Sequence, residues 1–156
     1  MRPAAVTVGD KTCELVQFHF HHRSETEINS QRSPMEPHLV HQDKDGNIAV
    51  VAVLLNEGQS NPLVNTVWSQ LSQQEGQEIA PEHVEINALN LLPANHRYYT
   101  FPGSLTTPPC SENVTWLVLA TPMTLSKEQI ASFAAIYPNN ARPVQPLNNR
   151  VVLESE

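Results

Sequence analysis

The sequence predicts a mainly β protein of the α+β kind, with strands at its centre and two helices at its periphery. Three observations carry that expectation. Thirteen prolines against five glycines point to many turns and strand edges. Several segments alternate apolar and polar residues with a period of two, as strands do when one face meets a core. Two stretches carry the 3.6-residue apolar spacing of a helix, each opened by a capping residue.

Taken in order, the first strand covers 13–21. Leu15, Gln17, His19 and His21 fall on one face, and Val16, Phe18 and Phe20 on the other. A polar, turn-prone stretch follows, and 36–41 reads as a second short strand with Glu36, His38 and Val40 on one face. Asp45-Gly46 marks a turn into 47–55, an apolar run typical of a strand buried on both faces. In the first helix Asn61 caps and Pro62 takes the first helical position, with Leu63, Val64, Val67, Trp68 and Leu71 as the apolar face. Segments 97–101 and 114–120 read as strands on either side of a proline-rich loop. Ser126 and Gln129, in capping-box spacing, open the second helix, which continues through Ile130, Phe133 and Ile136. The tail over 139–146 reads as loop. No repeat, low-complexity tract or linker interrupts the chain, so residues 1–156 are expected to form one domain.

Composition narrows the function classes. At 156 residues, 40% hydrophobic and 16% charged, the chain is globular in composition. A net charge of −7 and a pI near 5.4 exclude a basic stripe for nucleic acid. No apolar run reaches the roughly 18–20 residues that span a bilayer. The first residues, Met1-Arg2-Pro3-Ala4-Ala5, lack the apolar core of a signal peptide. Cys13 and Cys110 are too few to define a disulfide framework; two free, partly buried thiols are the ordinary reading and a pairing stays open.

The chemistry concentrates at His19-Phe20-His21. Residues two apart on a strand point the same way, so both imidazoles enter one space. His38 on the next strand offers a third nitrogen. Three histidines with an open fourth position suit a catalytic zinc, which takes nitrogen ligands at about 2.0–2.1 Å. Gln17 and Glu36 share the faces of His19 and His38, and each is placed to accept a proton from a ligand's second ring nitrogen. A surface H-x-H arises often by chance, and Gln17 and Glu36 also suit a solvated strand face. A glutamate between apolar stretches is nevertheless costly to bury without a partner.

Several separated blocks resemble the α-type carbonic anhydrases, the bacterial branch most closely. They are Leu15-Val16-Gln17-Phe18-His19-Phe20-His21, Ser24-Glu25, Glu36-Pro37-His38-Leu39-Val40-His41, Gly103 through Glu112, Val114-Thr115-Trp116, and Arg142-Pro143-Val144-Gln145-Pro146-Leu147-Asn148. The resemblance implies a central twisted, largely antiparallel sheet, and zinc-dependent interconversion of carbon dioxide and bicarbonate. It implies His19, His21 and His38 as zinc ligands, with Gln17 and Glu36 behind them. Thr106 would accept a hydrogen bond from the solvent species on zinc and pass its own proton toward Glu25. The Thr106 amide and the Thr107 side chain would contact bicarbonate. Val40, Val50, Leu105, Val114 and Trp116 would form the apolar wall for carbon dioxide. The implied setting is periplasmic or secreted, with the cytoplasm left open.

The sequence also departs from the family's pattern. The family's N-terminal third has no counterpart in it, and with that third go several strands and the proton-shuttling histidine. An exposed sheet edge, and self-association through it, are therefore expected. His22 points away from the ligand face and takes no shuttle role. Pro37 interrupts the His38 strand, where an edge or bulge is expected. Thr26 and Phe101 stand where the family usually has histidine and tyrosine of a buried polar network, so Glu36 is expected to lose support. Cys110 resembles a family cysteine whose disulfide partner lies in the absent third, and Cys13 is not that partner. Two other readings remain: a degenerate zinc-binding domain without turnover, and a cupin-like site. His19-x-His21-x-x-x-Glu25 fits the first half of a cupin motif, in which Glu25 also binds metal, but its later glycine and second motif are missing.

Overall fold

Alternation along the central strands sends one set of side chains to each side of a large sheet, and both sides are apolar. The computed structural model describes residues 5–70 and 86–156. Its strands are β1 (Ala5–Val8), β2 (Lys11–His22), β3 (Glu27–Ile28), β4 (Gln31–Arg32), β5 (Met35–Gln42), β6 (Ile48–Ala52), β7 (Leu55–Glu57), β8 (Tyr98–Ser104), β9 (Glu112–Leu119), β10 (Met123–Leu125) and β11 (Leu153–Glu154). Helices α1 (Pro62–Trp68) and α2 (Lys127–Ile136) and a 3-10 turn at Ala88–Leu91 complete it. The main sheet runs β1-β2-β5-β6-β9-β8-β11, with β7 joining β5 and β10 to one side; β3 and β4 pair separately. The β6–β9 and β7–β10 pairs are parallel and the other pairs antiparallel. The mainly β, largely antiparallel architecture predicted from sequence is present.

Odd-numbered residues of the central strands, Leu39, Val51, Leu117 and Leu119, face the helices and pack with Phe20, Leu63, Val64 and Phe133. Even-numbered ones, Val50, Ala52, Val114, Trp116 and Val118, build a second apolar cluster on the opposite face. Both helix starts follow their local signals. Asn61 accepts from Leu63 N and Val64 N with Pro62 next, and Ser126 with Gln129 forms a capping box. The buried Gln129 amide joins the two: its Oε1 accepts from Asn61 N and Ser126 N, and its Nε2 donates to Asn61 O and Asn65 Oδ1. α1 ends at Trp68, and Leu71 lies outside the described residues.

The structure differs from expectation in four places. A bulge shifts the β2–β5 register between Leu15 and Gln17. The extra residue, Val16, is 61% exposed, and Leu15 turns to the helix-side core instead of the histidine face. The run over 47–55 is two strands, because β6 stops at Ala52 and pairing resumes at Leu55. Pro37 lies inside the sheet, not on an edge or bulge. Its carbonyl accepts from Val53 N at 3.2 Å, beyond the last β5–β6 pair, His38↔Ala52. N–H and C=O of one strand residue face the same side, so the donor Pro37 lacks falls where β6 has already ended. Finally, β1 adds a strand through the two-residue turn Gly9-Asp10, with Gly9 at φ +64°. Both cysteines are free thiols.

Candidate metal centre

Antiparallel pairing places His19 directly opposite His38, and His21 follows two residues on, on the same face. The three rings converge, with centroids 4.9, 5.3 and 4.5 Å apart. Each ring has one nitrogen engaged. His19 Nδ1 donates to Gln17 Oε1 at 2.8 Å, and His21 Nδ1 donates to the Asn140 carbonyl at 3.0 Å. His38 Nε2 lies 3.2 Å from Glu36 Oε1, close to the carboxylate but not aligned as a hydrogen bond. A carbonyl oxygen only accepts, so these contacts put the ring protons on His19 Nδ1 and His21 Nδ1. The acceptor nitrogens left over are His19 Nε2 and His21 Nε2, and His38, with its Nε2 toward Glu36, has its Nδ1 as the third candidate ligand.

That set fits a metal ion. His19 Nε2 and His21 Nε2 face each other at 3.1 Å, two lone pairs with no proton of their own to share. The edge of a tetrahedron built on zinc–nitrogen bonds is close to that, about 3.3 Å. Among the described residues these three histidines form the group whose ligand atoms lie within 4.8 Å of one another. Glu25 is not in it, which disfavours the cupin-like arrangement. Burial, then the neighbouring His38 and His21, lowers the His19 pKa to about 4. His21 is lowered too, by burial first and His38 next, against the Asn140 carbonyl and the carboxylates of Glu25 and Glu36. Neutral imidazoles are the form that binds metal.

Glu36 keeps its support by other means than the family's. Its side chain is fully buried and accepts from Glu25 N (2.7 Å), Thr26 N (2.8 Å) and Thr26 Oγ1 (2.7 Å). Burial pushes its pKa up, but His38 and the Thr26 donors outweigh that and hold it below the ordinary value. The expected loss of polar support at Glu36 is thus corrected: the Thr26 hydroxyl reaches the carboxylate itself. Phe101 joins the apolar wall instead, stacked on Trp116 at 6.4 Å and 5°.

The five wall residues singled out from sequence, Val40, Val50, Leu105, Val114 and Trp116, meet in the second apolar cluster. Trp116 lies edge-on to His38 at 4.8 Å. Beside the wall runs a groove of about 910 Å³, whose lining includes Glu25, Thr26, Thr106 and Arg142. The Thr106–Glu25 relay is not assembled: the two share no hydrogen bond. Glu25 Oε1 accepts instead from Arg142 N at 2.6 Å, and its buried Oε2 makes no hydrogen bond, lying 3.9 Å from His38 Nδ1. The loop carrying Thr106 and Thr107 is tied to itself by Leu105 N to Ser111 O and Cys110 N to Thr107 O, and Thr107 is exposed. Two contributors were not singled out from sequence: Asn140, through its carbonyl, and Arg142, through its amide. Neither uses its side chain for these contacts, so residue type gave no signal.

The model of the eukaryotic-type carbonic anhydrase family matches residues 4–156. A carbonic anhydrase of Nostoc sp. is 50% identical over 142 residues, covering 91% of this chain and 54% of the relative. Carbonic anhydrases of Pectobacterium carotovorum and Klebsiella pneumoniae are 45% identical, with 60% and 61% of their lengths covered. The chain therefore spans less than two thirds of these relatives. Among solved structures, the α-carbonic anhydrase of Thermovibrio ammonificans in complex with sulfanilamide superposes with a TM-score of 0.91 at 44% identity, over 95% of this chain and 66% of that one. The Photobacterium profundum α-carbonic anhydrase gives 0.92 at 44% identity, over 98% and 70%.

Proposed function

The chain belongs to the eukaryotic-type carbonic anhydrase family, and on that footing we propose that it holds zinc through His19, His21 and His38 and interconverts carbon dioxide and bicarbonate. The observation that carries this reading is the convergence of three imidazole nitrogens beside an apolar wall. Zinc, when bound, supplies a Lewis acid that makes water a ready nucleophile, the behaviour for which carbonic anhydrases are the reference case. The chain's own residues do the rest. Gln17, the Asn140 carbonyl and Glu36 fix which nitrogen of each imidazole faces the ion. Val40, Val50, Leu105, Val114 and Trp116 offer carbon dioxide a surface without hydrogen-bonding competitors. Thr106 would orient the attacking oxygen by accepting a hydrogen bond from it while donating its own to Glu25, whose Oε2 has no hydrogen-bond partner in this structure. Thr107 holds the bicarbonate. Addition of water to carbon dioxide yields bicarbonate and one proton, which leaves to buffer.

Self-association belongs to the same proposal. β1 pairs with β2 only as far as Glu14, and among the described residues no strand covers the outer edge of β2 beyond it. Apart from Phe20 O and His22 N, which Asn140 takes, edge N–H and C=O groups of that kind favour strand addition.

Initial rates of carbon dioxide hydration test the enzymatic reading. The zinc-loaded chain should exceed the uncatalysed rate and rise with the concentration of a small imidazole buffer. Thr106→Ala should cut turnover while zinc stays bound, because it removes orientation and no ligand. A zinc-loaded wild type no faster than buffer alone would leave a zinc-binding domain without turnover.

A further inference from the structure

We propose that Asn140 is a positioning residue of this centre: its side-chain amide clamps the free edge of β2 on both sides of His21, and so sets the backbone carbonyl that fixes the His21 tautomer. The functional importance of that tautomer rests on the metal reading above; the clamp itself is a matter of hydrogen bonds in the metal-free chain.

Phe20 pairs with Pro37 across β2 and β5, and the Pro37 carbonyl points to the far side, toward Val53. In such a pair the partner's N–H and C=O also point outward. Phe20 and His22 therefore direct their backbone groups to the edge that β1 leaves uncovered after Glu14. Asn140 fills that gap with one planar amide. Its Nδ2 donates to Phe20 O at 3.0 Å, and its Oδ1 accepts from His22 N at 2.6 Å. The two strand groups differ in polarity, so only one orientation of the amide satisfies both. Asn139 N adds a bond to His22 Nδ1 at 3.1 Å. Together these contacts fix the Asn140 backbone relative to β2, and its carbonyl then sits 3.0 Å from His21 Nδ1. With Nδ1 protonated, Nε2 is left as an acceptor facing His19 Nε2. A backbone carbonyl cannot be removed by substitution, but the side chain that places it can.

A simple loop anchor predicts a change in stability and nothing else. Positioning predicts a change confined to one ring. The test is long-range proton–nitrogen correlation of the imidazoles in the metal-free chain, in mildly alkaline buffer, together with the rate at which the zinc-loaded chain yields its metal to a chelator. In wild type both His19 and His21 should carry the proton on Nδ1. Asn140→Leu, which loses both contacts, should move His21 toward a mixture of tautomers. His19, tied to Gln17, should not move. Zinc release should quicken on the order of threefold to tenfold, less than the ten- to hundredfold expected for a partner that touches the ligand directly. Asn140→Asp keeps the acceptor for His22 N and loses the donor to Phe20 O, so it should fall between, and it carries the test if Asn140→Leu does not fold. An unchanged His21 tautomer with unchanged zinc release in the folded variants would overturn the proposal. So would His19 and His21 shifting together, which marks a global effect. A wild type that binds no zinc but whose His21 tautomer alone responds would uphold the clamp and defeat the metal reading instead.

Discussion

His19 is the residue whose environment makes the sharpest pH prediction. Its pKa falls from the ordinary 6.5 to about 4 in the folded, metal-free chain. Between those two values the unfolded chain takes up a proton that the folded one refuses. Stability of the metal-free protein therefore drops as pH falls through that window, and this residue adds nothing further below about 4. Denaturant midpoints should decline steadily across it, and His19→Gln should flatten the decline. Midpoints for wild type that hold constant would contradict the assignment of burial as the cause. At this scale much of the site was legible. His19, His21, Gln17, His38 and Glu36 declare themselves through a period of two, because strand geometry alone puts them on shared faces. Asn140 and Arg142 do not, since they act through backbone groups 119 and 117 residues away in the chain. Thr26 was misjudged as a loss because a hydroxyl close to the carboxylate does the work expected of a longer side chain.

Elements whose signals are local were legible, and those set by partners were not. Asn61-Pro62 and Ser126 with Gln129 mark the helix starts because a cap satisfies its own helix. The bulge at Val16 depends on the register with β5, and no residue of β2 announces it. The break between β6 and β7 likewise reflects which neighbour each half finds. The hairpin turn does carry a local signal, the dipeptide Gly9-Asp10, whose glycine supplies the positive φ the turn needs. The proposed self-association is a property of the β2 edge. It predicts light-scattering mass that rises with concentration, and Val16→Lys should suppress it by placing a charge on the exposed bulge. A stable, folded monomer across the micromolar range would refute it.

At the scale of the whole molecule, one sheet separates two tasks. Its helix-facing side holds the core of Leu39, Val51, Leu117 and Phe133, while the other side carries the three histidines and the wall around Trp116. Changes on the first side should act on stability, and changes on the second on what the chain binds. The fold class was legible because period-two patterning dominates the sequence; the order of strands was not, because it is a matter of which edges meet. The central claim is that His19, His21 and His38 form the zinc site. Competition titration of the metal-free chain against a chromophoric chelator tests it most directly, with wild type beside His38→Ala and Glu36→Ala. The account predicts a single tightly held zinc per wild-type chain and loss of tight binding in His38→Ala. For Glu36→Ala it predicts affinity weakened on the order of ten- to a hundredfold. Folded wild type without tight zinc binding, or tight binding that survives His38→Ala, would contradict it.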